Sequence, residues 1–322
     1  MKKNIAIVGA TGIVGRTVLK ILKERKLDKN NFYLFATKKN EGTILHIGRK
    51  KYKVRTLEED VLKNEKFDYA LFCTREEVSK CFVPKFLEQG TRVIDFSSLY
   101  RSKFPLIVPE INGDDAKGSL ICNPNCSTAA AVMALYEIHK RLGLKEIVYS
   151  TCQAVSGAGK VAIDDMKTKK RSKLKSFKYP ICDNVIPQIG SIDEKGSSTE
   201  ENKMLFETRK ILNDKDIKIC ATCVRIPIKV CHSISIHFKT RKDTGLEEIK
   251  KILLETKGVK VVDNAPDFPM PYFTKGQDDV LVGRIRESYD KNSFDIFVCS
   301  DNLRKGAAQN GVQILELLLS RK

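Results

Sequence analysis

The sequence predicts an α/β chain: a doubly wound parallel sheet joined to a second, α+β domain. Three observations lead there. Short apolar runs alternate with helix-length intervals up to about residue 125. A glycine loop, Gly9-x-x-Gly12-x-x-Gly15, lies between the first apolar run and the first helical pattern. After a strong helix at 127–141, strand-like runs succeed one another with few helices between them. The first pattern requires crossover helices and a parallel sheet, whereas the last suits an antiparallel or mixed one.

In chain order, residues 4–8 (NIAIV) read as a strand, and Val14, Val18, Leu19, Ile21 and Leu22 follow at helical spacing. Further strands read at 32–36, 69–73 and 92–96. Residues 78–87 suit a helix, although Pro84 complicates it. In the second half, strands are expected at 146–153, 217–226, 232–239, 259–263, 279–285 and 293–300. Helices are expected at 200–212, 246–255 and 304–319. Residues 167–197 have weak periodicity and many Lys, Ser, Gly and Pro residues, so they read as a long excursion.

The length of 322 residues suits about two domains. An apolar share of 42% with 30% charged residues excludes wholesale disorder. No apolar stretch approaches the roughly 18 residues of a membrane span. The start runs into the glycine loop before a signal-peptide core could finish, which points to the cytoplasm. The net charge of +18 could serve an anionic ligand, a nucleic acid or solubility alone. Lysines are scattered over the whole length, which favours a solvated surface. The densest run, Lys167 to Lys178, has only Phe177 as an interleaved aromatic, so no nucleic-acid partner is expected. The ten cysteines read mostly as small buried hydrophobes rather than a disulfide framework. Cys220-x-x-Cys223 has no second pair at zinc spacing, so no metal site is expected.

The glycine loop sits where a dinucleotide's pyrophosphate would meet a helix N-terminus, as in a Rossmann-type domain. A purely structural strand–helix turn is the alternative. Candidate contacts are Gly9, Thr11, Gly12, Ile13 and Val14. At the second strand's end, Ala36-Thr37-Lys38-Lys39-Asn40 has no carboxylate to hold ribose hydroxyls, and two lysines that would welcome a 2′-phosphate. Thr37, Lys38 and Lys39 therefore favour NADP(H) over NAD, unless they are ordinary surface lysines of a lysine-rich chain.

Cys126, in Cys122-Asn123-Pro124-Asn125-Cys126-Ser127-Thr128, falls at or beside the start of the strong helix. The helix dipole favours a thiolate there. Asn125 and the neighbouring N–H groups are candidates to hold an oxyanion.

These segments together resemble aspartate-semialdehyde dehydrogenase. The resemblance rests on GATGIVG, NPNCST, TCQAVSGAGK, RIPIKVCHS and the tail DNLRKGAAQNGVQI, and it covers essentially the whole chain. It implies NADPH-dependent reduction of β-aspartyl phosphate to aspartate β-semialdehyde with release of phosphate, in lysine, threonine and methionine biosynthesis. Cys126 would be the nucleophile, forming a thioester that accepts hydride. His232 would be the acid/base, with a pKa near neutrality suiting both proton transfers. A satisfied core histidine is the alternative, since His232 shares parity with Ile234, Ile236 and Phe238. Gln153 would orient the reacting group.

Arg225 would bind the substrate α-carboxylate as a bidentate fork. Glu200 would contact the amino group and Lys203 the phosphate, unless these two form only a surface ion pair. Arg101 would be the second phosphate ligand. Ser156, Gly157 and Asn302 would lie near the nicotinamide. The resemblance also implies an NADP-binding Rossmann domain at 1–125 and 303–322, with the last helix returning to it. An α+β substrate-binding and dimerisation domain would span 126–302, in a homodimer or homotetramer. One departure is Lys38-Lys39-Asn40, where some members carry an arginine- and serine-containing loop, so a modest preference for NADP is expected.

The nearest rival is N-acetyl-glutamyl-phosphate reductase, with the same architecture and chemistry. That family tends to place glycine before its cysteine and an aromatic after it, where this chain has Asn125 and Ser127. An acetylated amine would also give Glu200 no charge to hold.

Overall fold

A computed structural model describes residues 2–321 and divides the chain into two units, Met1–Pro124 with Ala307–Lys322, and Asn125–Gly306. In the first unit, β1 (Asn4–Val8) is buried over Ile5–Val8, as a central parallel strand should be. Helix α1 (Ile13–Glu24) turns Val18, Leu19, Ile21 and Leu22 inward. Strand β2 (Asn31–Ala36) is followed by a hairpin, β3 (Ile44–Ile47) and β4 (Lys50–Lys53), then the short β5 (Arg55–Thr56) and α2 (Glu59–Asn64). The hairpin's lysines obscure it in the sequence, but Leu45 and Ile47 are buried in the same core as α1.

Strand β6 (Tyr69–Phe72), α3 (Glu76–Glu88), β7 (Arg92–Asp95), α4 (Pro109–Asn112) and β8 (Leu120–Cys122) complete the sheet. Its order is β5-β2-β1-β6-β7-β8, with every adjacent pair parallel. Helix α3 runs through Pro84. Pro84 and Lys80 are exposed, so water can satisfy the carbonyl that loses its donor.

The second unit is built around α5 (Cys126–Leu142), which is buried almost continuously from Ser127 to Tyr136. Strand β9 (Leu144–Gln153) and α6 (Lys160–Asp165) precede the excursion, which carries no strand before α7 (Thr199–Ile211). Strands β10 (Lys218–Arg225) and β11 (His232–Thr240), helix α8 (Leu246–Glu255), β12 (Val259–Val261), α9 (Pro271–Thr274), β13 (Val280–Glu287) and β14 (Ser293–Ser300) follow. The sheet is mixed, in the order β10-β9-β11-β14-β13-β12. Strand β10 is parallel to β9, while β9, β11 and β14 run antiparallel in turn.

The predicted C-terminal helix begins later than its pattern suggests. Arg304–Ala308 forms a wide π turn, and the α-helix α10 is Gln309–Ser320. Helix α10 belongs to the first unit, where Val312, Ile314, Leu315 and Leu318 share the core of β1 and α1.

Candidate active site

Strand register assembles the second unit's polar cluster. Arg225 on β10 lies opposite Gln153 on β9, and Ser233 on β11 lies opposite Cys152. Alternation then turns Arg225, Gln153 and His232 to one buried face at adjacent strand ends. Helix α5 packs on the same sheet and brings Cys126 Sγ to 3.2 Å from His232 Nε2. Glycine permits two close approaches. A Cβ on Gly306 would stand 2.9 Å from Cys126 Cβ, and one on Gly157 would stand 3.1 Å from the Arg225 guanidinium.

The ring's proton can be assigned from its partners. The Ala154 N–H donates to His232 Nδ1 at 3.0 Å, so Nδ1 is an acceptor. The neutral ring must then carry its proton on Nε2, facing Cys126. Burial, with the Arg225 charge adding to it, pushes the His232 pKa down to about 3. This corrects the near-neutral value expected from the residue type. The ring is a neutral N–H donor at rest, with its Nε2–H aimed at the Cys126 sulfur 3.2 Å away.

The Ala154 carbonyl accepts from Arg225 Nη1 at 2.7 Å, so the backbone of one residue orients both side chains. Burial lowers the Arg225 pKa, and Glu200 opposes that shift. Asn302 braces the histidine from behind. Its Oδ1 accepts from the Cys231 N–H at 2.9 Å, and its Nδ2 donates to Ser156 Oγ at 2.9 Å.

Helix α7 lies beside α5. The Asn125 side chain donates to Glu200 at 2.8 Å, and Lys203 stands 3.9 Å from the other Glu200 oxygen. Glu200 is buried, so this is not a surface pair. The Asn125 N–H was a candidate oxyanion donor. It instead donates to Glu207 at 2.7 Å, so any oxyanion must use other groups. The sequence reading missed Glu207. The available signal was its spacing, seven residues after Glu200 on the same helix face.

Other cysteines are chemically distinct or geometrically separate. Burial pushes Cys223 up to about 12 and also raises Cys73 and Cys152. The expectation that most cysteines are buried is too broad, because Cys81 and Cys220 are exposed and several others are partly so. Cys220 and Cys223 lie three residues apart on β10, hence on opposite faces, and cannot converge on one ion.

The first unit carries the remaining predicted groups. Gly9 has φ of +83°, and a Cβ there would come within 2.3 Å of the Cys73 carbonyl oxygen. A Cβ on Gly15 would approach the Gly9 carbonyl oxygen to 2.3 Å. No side chain caps α1 at Gly12. An open helix end behind a close-packed glycine turn fits a pyrophosphate. Thr37, Lys38 and Lys39 are exposed in a 3₁₀ turn at the end of β2, where they fit a 2′-phosphate. Arg101 is buried in the loop after β7 and donates to the Phe96 carbonyl at 2.9 Å. Asp95, which accepts from Ser79 and Ser97, lies near it.

Residues 4–119 match the family model described as semialdehyde dehydrogenase, NAD binding domain, and 135–305 match semialdehyde dehydrogenase, dimerisation domain. Aspartate-semialdehyde dehydrogenase of Aquifex aeolicus is 44% identical over 99% of this chain and 98% of the relative. That of Bacillus subtilis is 38% identical, covering 98% and 97%. The crystal structure of aspartate semialdehyde dehydrogenase II from Vibrio cholerae, complexed with ASA, superposes with a TM-score of 0.94 at 36% identity, covering 100% and 99%. The Candida albicans enzyme with NADP has a TM-score of 0.76 at 25% identity, covering 99% of each chain. The chain belongs to the aspartate-semialdehyde dehydrogenase family.

Proposed function

We propose that the chain reduces β-aspartyl phosphate to aspartate β-semialdehyde through a thioester on Cys126, using NADPH. Family membership makes it an NADP-dependent phosphorylating aldehyde dehydrogenase. The observation that carries the mechanism is Cys126 Sγ at 3.2 Å from a protonated His232 Nε2, at the N-terminus of a buried helix.

The Cys126 thiolate attacks the acyl carbon, and the C–O bond to phosphate breaks. The helix dipole and the Nε2–H stabilise the thiolate before attack. Arg225 fixes the α-carboxylate, and Glu200, already holding Asn125, faces the ammonium group. Lys203 would hold the departing phosphate, and the resemblance gives Arg101 the same role. When bound, NADPH supplies the hydride that reduces the thioester carbon. The His232 Nε2–H donates a hydrogen bond to the developing oxyanion, which collapses to the aldehyde as the C–S bond breaks and Cys126 leaves as thiolate. The glycine loop at Gly9–Val14, with Thr37, Lys38 and Lys39, would hold the dinucleotide, and Ser156, Gly157 and Asn302 would border its nicotinamide.

The setting we propose is a cytoplasmic homodimer, where Cys126 stays reduced. The match of 135–305 to a dimerisation model supports the association. No helix among the described residues is long and apolar enough to cross a membrane.

The test is absorbance at 340 nm with aspartate β-semialdehyde, phosphate and NADP⁺. Wild type should reduce NADP⁺, and Cys126→Ser should lose at least about 10⁴-fold in kcat. Turnover of N-acetylglutamate semialdehyde instead would transfer the chain to the rival substrate. Equal rates for wild type and Cys126→Ser would remove the thioester.

A further inference from the structure

We infer that Glu207 is a positioning residue for the Cys126 nucleophile, completing across two helices a cap that α5 cannot complete alone. This deepens the reading of Cys126 as the nucleophile and rests on it.

A helix beginning at Ser, Thr, Asp or Asn gains most when its cap is reciprocal. The cap side chain accepts from the N3 backbone N–H, while a Glu or Gln at N3 accepts from the cap's own N–H. Helix α7 has this arrangement within its own sequence. Ser198 accepts from the Glu201 N–H at 3.3 Å, and the Glu201 side chain accepts from the Ser198 N–H at 2.6 Å.

Helix α5 begins at Asn125, whose Oδ1 accepts from the Ser127 and Thr128 N–H groups at 2.9 and 3.1 Å. Its N3 residue is Thr128, which cannot reach back as glutamate does. The missing half comes from α7, 82 positions along the chain, where Glu207 accepts the Asn125 N–H at 2.7 Å. Glu200, from the same face of α7, accepts from the Asn125 side-chain amide at 2.8 Å. Asn125 is thus held at its backbone and its side chain by one neighbouring helix, immediately before the nucleophile.

Glu207 is 0% exposed. Burying a carboxylate is costly unless its partners compensate. A cap needing only helix stability would be served by glutamate at position 128, on the helix itself. The distant carboxylate does something more specific. It fixes the backbone of the residue just before Cys126 relative to α7, which also carries Glu200 and Lys203. Attack distance and substrate anchorage are set from one helix face.

The experiment compares Glu207→Ala and Glu207→Gln with wild type. The readouts are kcat and KM for phosphate, thermal midpoint, and the rate at which iodoacetamide alkylates Cys126. Removing the acceptor should lower kcat about 100-fold, the scale of an ångström-sized misplacement, with the phosphate KM within about threefold. Alkylation of Cys126 should slow by about tenfold as the thiol leaves the His232 N–H. Glu207→Gln keeps a carbonyl acceptor and should recover kcat to within about fivefold of wild type. If the alanine variant does not fold, Glu207→Asp replaces it, its acceptor falling one methylene short of Asn125. A folded Glu207→Ala or Glu207→Asp with wild-type kcat and alkylation rate, and only a lowered thermal midpoint, overturns the proposal. Failure of wild type on aspartate β-semialdehyde would count against the substrate reading alone, because alkylation measures Cys126 without substrate.

Discussion

Helices α1 and α5 both start at a loop to which we assign a function, and their N-termini are built in opposite ways. Helix α1 starts at Gly12 with no side-chain cap. Helix α5 starts at Asn125, whose side chain caps it while Glu200 and Glu207 hold Asn125 in turn. The same dipole serves two purposes. An open terminus offers backbone N–H groups to an incoming phosphate. A closed terminus has spent its first donors on protein and lends only its field and its rigidity to a side chain already in place.

The sharpest way to break the comparison is Gly9→Ala. The new Cβ would meet the Cys73 carbonyl oxygen at 2.3 Å from a backbone at φ +83°. Left-handed strain of about 1–2 kcal/mol and overpacking of about 1–3 kcal/mol add to a loss of about 2–5 kcal/mol. Denaturant unfolding should register it, and NADP⁺ titration should show weakened binding. Iodoacetamide should still alkylate Cys126 at the wild-type rate in protein that remains folded. A parallel fall in that rate would mean the two helix starts are not independent.

The closed end should reveal itself through acid sensitivity. His232 titrates near 3 in the folded chain, against about 6.5 when unfolded. Between these values the unfolded state binds the extra proton, so stability falls as pH falls. From pH 7 to pH 5 the histidine should remove about 2 kcal/mol. Denaturation of wild type and His232→Asn at both pH values checks this, and the variant should lose less on acidification. An identical pH dependence in the two would mean that His232 is not held neutral by its surroundings.

The two ends also differ in how legible they were. The glycine loop is local, since spacing and flanking strand and helix all lie within residues 4–24. The Asn125 half of the other cap is local too, and Asn before a helical run announces it. The Glu207 half is not, because nothing in residues 125–128 says that the N-cap N–H needs a distant acceptor. The His232 pKa was misread for the same reason. Residue type supplies a value near neutrality, and only the packing of Arg225 and the surrounding core reveals the shift. The β3–β4 hairpin was missed because its lysines dilute the alternation, although Leu45 and Ile47 are buried and Tyr52 packs against the same core.

The smallest effect sharpens the comparison at the open end. Lys38 and Lys39 are exposed, so their attraction for a 2′-phosphate acts through solvent and is screened by salt. Each should be worth no more than about 1 kcal/mol, the usual scale of an exposed ion pair. Lys38→Gln with Lys39→Gln should raise the KM for NADP⁺ by about tenfold, leave that for NAD⁺ within about twofold, and flatten the salt dependence of the NADP⁺ value. Neither kcat nor Cys126 alkylation should move. An unchanged NADP⁺-to-NAD⁺ ratio would take the 2′-phosphate away from this turn. The glycine loop could not supply the preference in its place, because its N–H groups see the same pyrophosphate in both cofactors and have no means of telling them apart.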